Sequence, residues 1–393
     1  MNVAILGTRG IPASYSGFET AVEQISSRLT ARGHRVTVYC RPHVVDRAIT
    51  NWKGAELVHL PTVRNKYLDT FVHTFLSSVH ARRMRPDVAL FFIAGNSPLC
   101  LVTRLAGIPT VINVDGLDSD RRKWNRVAKA YLRTAERLAP SLATRAITDS
   151  HAVAHIYRQR YGRSIGVVPY GAEVPEHTEA GVLERLGLEP RRYVLFVGRL
   201  EPENNPHLLV EAWARIPSER TRGMKLVVVG GAPYASDYIT RVRRAADPRV
   251  LFPGYIFGPG YWELQQNAYL FCAPTEVGGT HPVILEALAA GNCVLVNDYR
   301  PNAETVGDAG VYFSGTEGVP DLARQLERLI ADPDAVDTYR SRALERAELY
   351  SWDAVASAYE NLLLEVCGQA TAGQRPITFT DTARERPASQ ASR

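Results

Sequence analysis

Leu270-Phe271-Cys272-Ala273-Pro274-Thr275-Glu276-Val277-Gly278-Gly279-Thr280-His281-Pro282-Val283-Ile284-Leu285-Glu286-Ala287 reads as a short apolar strand, a loop with two glycines and the start of a helix. Pro282 suits the first helical position, where a missing N–H costs nothing, so Thr280 or His281 falls at the cap. The first-turn N–H groups of such a helix lack internal partners and carry the positive end of the helix dipole. Gly278 and Gly279 remove side chains that would hold a phosphate away, and the whole reads as a diphosphate cradle. Glu286, one turn further in, is placed to accept hydrogen bonds from sugar hydroxyls, so a nucleotide-sugar fits both halves. The alternative is an ordinary Gly-Gly turn followed by an exposed acid that complements the dipole. Position after a strand favours the ligand, because open α/β sheets bind outside the carboxyl ends of their strands.

Upstream the same grammar repeats. A strand over 193–197 runs into Gly198-Arg199-Leu200-Glu201-Pro202-Glu203-Asn204-Asn205-Pro206, a helix follows over 207–216, and a strand over 225–229 ends at Gly230-Gly231. Arg199, after a strand and a glycine, is placed to neutralise phosphate bidentately; an unengaged surface arginine is the alternative. Further back, a strand over 3–6 enters Gly7-Thr8-Arg9-Gly10-Ile11-Pro12. The dinucleotide fingerprint fails there, because Arg9 stands where its second glycine is required and Arg41 follows the second strand instead of an acid. Gly17, at the mouth of the next helix, allows a phosphate or an acceptor sugar to approach, or serves only as a helix-entry turn. A helix over 69–84 and strands over 88–93 and 110–114 continue the alternation, which argues for a parallel sheet covered on both faces. Asp115, in Asn113-Val114-Asp115-Gly116, lies at the ligand edge of that sheet, with a simple Asp-Gly turn as the other reading. Strand character is lost over 175–187. We therefore expect two doubly wound domains in tandem, 1–174 and 175–367, and a disordered tail over 368–393, which has no apolar period.

The chain of 393 residues carries a formal charge of +5, a mild bias that gives no case for nucleic acid. Its five cysteines are scattered and never paired as C-x-x-C, so neither a disulfide framework nor a zinc site is expected and a reducing cytoplasm fits. The first residues pass straight into a strand pattern without a basic leader, and no apolar run approaches the ~18 residues that span a bilayer. The region 120–145 is strongly basic, with Arg121, Arg122, Lys123, Arg126, Lys129, Arg133 and Arg137 against Glu136 alone. Trp124, Val127, Tyr131, Leu132, Ala135 and Leu138 recur along it at helical spacing. Such a stripe is ordinarily core and the charges a solvated face. The other reading is a peripheral surface for anionic lipid or a lipid diphosphate.

Taken together, these motifs resemble the retaining nucleotide-sugar glycosyltransferases of family 4, with the GT-B fold of two Rossmann-like domains facing across a cleft. More narrowly, Gly17-Phe18-Glu19-Thr20, Asp115-Gly116-Leu117, Glu201-Pro202-Glu203-Asn204-Asn205 and Glu276-Val277-Gly278-Gly279-Thr280 resemble a bacterial rhamnosyltransferase-like subgroup. The resemblance implies a metal-independent hexosyltransferase without a cofactor. Its expected reaction is transfer of L-rhamnose from dTDP-L-rhamnose, with retention, onto a lipid-linked saccharide of a cell-surface polysaccharide. It implies a cytoplasmic enzyme, peripheral at the inner face of the plasma membrane. Asp115, Arg199 and Glu276 are the implied catalytic residues. Gly17, Arg199, Asn204, Gly278, Gly279, Thr280 and Glu286 are the implied donor-binding residues, with Asp115 and the Gly17 loop lining the acceptor side. The wider family has a lysine where this chain has Asn204, and a second glutamate where it has Gly278. Other outcomes are a UDP-sugar-dependent transferase, a nucleotide-sugar epimerase of the same fold, and a non-catalytic nucleotide-sugar-binding subunit.

Overall fold

The computed structural model describes residues 1–13, 17–65, 68–121, 124–232 and 236–368. Its strands are β1 (Asn2–Leu6), β2 (Arg35–Cys40), β3 (Asn51–Trp52), β4 (Ala55–His59), β5 (Val88–Phe92), β6 (Thr110–Asn113), β7 (Arg145–Thr148), β8 (Gly166–Val167), β9 (Tyr193–Val197), β10 (Lys225–Val229), β11 (Val250–Gly254), β12 (Leu270–Ala273), β13 (Cys293–Asn297) and β14 (Gly310–Phe313). The helices are α1 (Gly17–Ala31), α2 (Asp69–Met84), α3 (Cys100–Arg104), α4 (Arg126–Leu142), α5 (His151–Tyr161), α6 (Val182–Leu186), α7 (Pro206–Arg215), α8 (Ser236–Arg244), α9 (Pro259–Asn267), α10 (Pro282–Ala289), α11 (Arg300–Val306), α12 (Val319–Ala331), α13 (Pro333–Ala347) and α14 (Trp352–Val366).

The chain divides into two units. The first holds Met1–Gly171, the short segment Gly278–Thr280 and, from Trp352, the last helix; the second holds Ala172–Val277 and His281–Ser351. The units thus change at Gly171/Ala172, beside the boundary expected at 174, and α14 belongs to the first unit although it follows the second in sequence. Ion pairs tie it there: Arg28 to Asp353 at 2.9 Å, and both Arg32 and His34 to Glu360 at 2.7 and 2.6 Å. The tail from 369 onward lies outside the described residues.

Each unit is built on one sheet. The first sheet runs β3-β4-β2-β1-β5-β6-β7-β8 and the second β11-β10-β9-β12-β13-β14. Every pairing is parallel except the β3–β4 hairpin. In both, the chain starts in the middle, winds outward to one edge, returns and winds to the other. The strand order therefore reverses beside β1 in one sheet and beside β9 in the other, and such a reversal leaves a crevice at the carboxyl ends. Apolar runs without alternation are what a sheet buried on both faces requires. In the second unit Val194, Phe196, Leu270, Cys272 and Leu295 pack into one core, and Tyr193, Leu195, Phe271, Ala273 and Val294 into a core on the opposite face. In the first unit Ala4, Leu6, Ala89, Phe91 and Ile112 share a core.

Candidate active site

In the second unit the strand reversal puts the loop after β9 beside the loop after β12, so Arg199 and Glu276 flank one crevice. Glycines let the neighbouring backbones close up there. A Cβ on Gly230 would stand 1.9 Å from the Gly198 carbonyl oxygen, and Gly230 itself has φ +130. Arg199 is 33% exposed and its Nη1 lies 3.3 Å from Glu201 Oε2, a loose and partly solvated contact that an incoming anion can replace. The side-chain amide of Asn204 donates to the Arg199 carbonyl oxygen at 2.7 Å, so Asn204 shapes the arginine loop through its backbone.

The Pro274-Thr275-Glu276 turn is pinned by three buried amides. Asn205 and Asn297 donate to the Pro274 carbonyl at 3.1 and 3.2 Å, and Asn302 donates to that of Thr275 at 2.8 Å. The carboxylate of Glu276 is partly exposed and makes no hydrogen bond or ion pair with the described residues. A rigid loop thereby presents an unengaged acid at the crevice.

On α10, His281 holds the cap position and Pro282 opens the helix. Glu286 follows one turn later and accepts a hydrogen bond from the Tyr261 hydroxyl. That hydroxyl accepts from Gln265 Nε2 at 3.0 Å, and the buried Gln265 is in turn held by Asn292, whose Nδ2 lies 2.7 Å from its carbonyl oxygen and 3.1 Å from its Oε1. This relay orients the carboxylate and engages one of its two oxygens; among the described residues the other has no partner. Burial holds the Glu286 carboxyl above the ordinary carboxylate range, against the hydrogen bond from Tyr261. A desolvated, oriented acceptor suits paired ligand hydroxyls. Sequence reading singled out neither Tyr261 nor Gln265, although their spacing of four on α9 puts them on one helix face.

In the first unit Asp115 follows β6 with φ +56, its amide held by Asn113 Oδ1 at 2.9 Å. The Asn113 Nδ2 in turn donates to Tyr359 of α14 at 2.7 Å. Tyr170 donates to Asp115 Oδ1 at 2.9 Å, and its ring meets Phe18, next to Gly17, edge-on at 6.4 Å. Residues 14–16, which complete the Gly17 loop, lie outside the described residues. The Gly278–Thr280 segment also belongs here. The Thr280 amide donates to Asp149 Oδ2 at 2.6 Å and its hydroxyl to the Asp149 carbonyl at 2.8 Å. A Cβ on Gly279 would lie 2.3 Å from Asp149 Oδ1, and one on Gly116 would lie 2.9 Å from the Gly279 nitrogen. The glycines read as clearing space for a phosphate here make room for backbone and for the Asp149 carboxylate. In this structure the Thr280 amide faces that carboxylate as well.

Burial raises both Asp115 and Asp149, and Asp115 pushes Asp149 further. Two neighbouring carboxyls that cannot both ionise readily favour holding one proton between them. A carboxyl raised in the folded state contributes stability that is complete below the unfolded value and is lost as pH rises through the raised one. Asp149→Asn keeps an acceptor for Thr280 and cannot ionise. Its melting temperature relative to the parent is expected to climb as pH goes from about 4 to about 8; a constant difference, followed by calorimetry, would contradict the shared proton.

The basic helix departs from its expected role as a plain core stripe. Leu132, Ala135 and Ala139 are buried, but Val127, Tyr131 and Leu138 are exposed at 79%, 42% and 39%. Glu136, the only acid on α4, is fully buried and accepts from Ser119 and Tyr161, so the outer face is basic and apolar without a balancing acid. Arg122 and Lys123 lie outside the described residues. Among the described residues no group of three or more His, Cys, Asp or Glu is placed to hold a metal ion, and no helix is long and apolar enough to cross a membrane.

Comparison with known proteins follows the same division. The family described as "Glycosyl transferase 4-like domain" matches residues 16–171, and "Glycosyl transferases group 1" matches 191–332, together more than half of the chain. The O-antigen chain mannosyltransferase B of Escherichia coli is 26% identical over 179 residues, 45% of this chain and 42% of that protein. A D-inositol 3-phosphate glycosyltransferase of Gordonia bronchialis is 28% identical over 273 residues, 64% of this chain and 58% of that protein. The match thus spans about half the length of these curated relatives. Among solved structures, Anabaena HepE in complex with UDP superposes with a TM-score of 0.74 at 18% identity, covering 93% of this chain and 100% of that one. WaaG, a glycosyltransferase involved in lipopolysaccharide biosynthesis, gives 0.71 at 16%, covering 92% and 99%. At such identity the superpositions speak to fold alone, and they agree with the two parallel-sheet domains. The chain belongs to the glycosyltransferases that join a glycosyl transferase 4-like domain to a group 1 domain, and its architecture is GT-B.

Proposed function

We propose that this protein is a retaining, metal-independent hexosyltransferase that uses a nucleotide-sugar donor and a lipid-linked saccharide acceptor in cell-surface polysaccharide synthesis. The observation that carries the reading is the edge of the second sheet. Arg199 and Glu276 flank its strand reversal, and the Tyr261-Gln265 relay presents Glu286 with one carboxylate oxygen open. In this reading Arg199 exchanges Glu201 for the diphosphate, where fixed positive charge stabilises the leaving group. Glu286 accepts from the nucleoside sugar hydroxyl. Asp115 serves the acceptor. The bond from the anomeric carbon to the phosphate oxygen breaks, the acceptor oxygen bonds on the same face, and its proton passes to the leaving phosphate oxygen. The exposed basic and apolar face of α4 suits a peripheral association with the membrane that carries such an acceptor.

For the donor we propose dTDP-L-rhamnose, on the likeness of the Gly278-Gly279-Thr280 and Asn204-Asn205 motifs to the rhamnosyl subgroup. Neither curated relative described above is named for rhamnose, and one is named for mannose. A deoxyribose lacks the 2′-hydroxyl, so Glu286 would engage the 3′-hydroxyl alone. The deciding assay sets dTDP-rhamnose against UDP-glucose, UDP-GlcNAc and GDP-mannose with a lipid-linked GlcNAc acceptor. Transfer from the dTDP-sugar, unaffected by chelator, is the expected result. Transfer from GDP-mannose or a UDP-sugar alone would remove the rhamnosyl assignment, and activity lost to chelator and restored by Mg²⁺ would remove metal independence.

A further inference from the structure

We propose that the groove between α4 and α5 in the first unit is a separate anion site that takes the phosphate of an anionic lipid. Arg133, Arg137, Leu138 and Ser141 of α4 line it on one side, and Arg160 and Arg163 at the end of α5 on the other, around a cavity of about 780 Å³. Four guanidinium groups converge there. Arg160 is paired with Asp120 at 3.0 Å, but Arg133, Arg137 and Arg163 make no hydrogen bond or ion pair with any described residue. Like charges gathered without partners are unfavourable unless something anionic offsets them, and guanidinium groups suit bidentate contact with phosphate. The acid that would balance them, Glu136, is turned inward onto Ser119 and Tyr161.

A second arginine-lined cavity, of about 370 Å³, lies in the second unit and shows the contrast. There Arg191 donates to the Ala268 carbonyl at 2.7 Å, Arg340 to that of Gly291 at 3.0 Å, and Arg192 to that of Arg222. Those charges hold the chain together. The α4–α5 charges do not. Leu138 lines the groove and is 39% exposed, with Tyr131 and Val127 exposed further along the same helix. Apolar surface beside unpaired cations is the pattern of a lipid head-group site and not of one for a free ion. The inference rests on the first unit alone and holds whether or not the transfer reading does.

The test compares the parent chain with Arg133→Gln/Arg137→Gln/Arg163→Gln, and with a charge-matched control, Arg82→Gln/Arg83→Gln/Arg85→Gln, on exposed residues at the end of α2. Three probes are used: phosphatidylcholine vesicles, the same vesicles with a third phosphatidylglycerol, and inorganic pyrophosphate in solution. The groove variant is expected to keep the parent's melting temperature and lose about a hundredfold in affinity for the anionic vesicles, roughly fivefold per arginine. The control should lose much less. Pyrophosphate binding that the groove variant abolishes, with vesicle binding unchanged, would keep the anion site but overturn its lipid occupant. Equal losses by groove variant and control, equal binding by parent and groove variant, or no binding of any probe would overturn the site itself.

Discussion

Arg199→Ala is expected to lower kcat about 10²–10³-fold with little change in melting temperature, as removal of a fixed donor from a developing oxyanion typically does. The structure explains why folding should be spared. The guanidinium is 33% exposed, and its described ion pair is the loose contact with Glu201 at 3.3 Å. The loop is held independently, through the Asn204 amide on the Arg199 carbonyl, which alanine retains. Lysine at 199 should restore only part of the rate, because a point charge lacks the planar fork. Undiminished turnover with alanine would place the diphosphate elsewhere.

Glu286→Ala is expected to weaken nucleoside diphosphate binding about 10–100-fold and to abolish most turnover, since a buried acceptor aimed at ligand hydroxyls is worth ~1–3 kcal/mol. The same change strips Tyr261 of its acceptor inside the relay, so some loss of stability should accompany it. Tyr261→Phe separates the two effects. It leaves the carboxylate in place but unoriented, and should reduce affinity less than removal of Glu286 does. Nucleotide binding measured by calorimetry that is equal in parent and Glu286→Ala would detach this helix from the donor.

Much of the second sheet was legible because strands buried on both faces are near-continuous apolar runs. The expected strands 193–197, 225–229 and 270–273 coincide with β9, β10 and β12. The β3–β4 hairpin escaped notice. Its turn places Lys53 and Gly54 at φ 48 and 87, a conformation usually signalled by Asn-Gly, and lysine gives no such cue. Asn205, Asn297 and Asn302 act across long separations in sequence, so no local pattern reveals that they pin one loop. Asp149 was hidden for a related reason. It sits in Thr148-Asp149-Ser150, where Ser150 caps α5, so the local sequence is fully explained without the neighbouring Thr280. The α4 stripe misled because helical periodicity reports an apolar face and says nothing of whether another element covers it.

The most direct measurement of the central claim is a time course of nucleoside diphosphate release from a single nucleotide-sugar donor, run with and without a lipid-linked saccharide acceptor and read by NMR at the anomeric centre. The account predicts release that depends on acceptor, matches the sugar transferred and preserves the anomeric configuration. Alteration of the donor without acceptor would instead indicate an epimerase. Tight nucleotide binding with no release under any acceptor would indicate a binding subunit, and an inverted product would contradict same-face transfer.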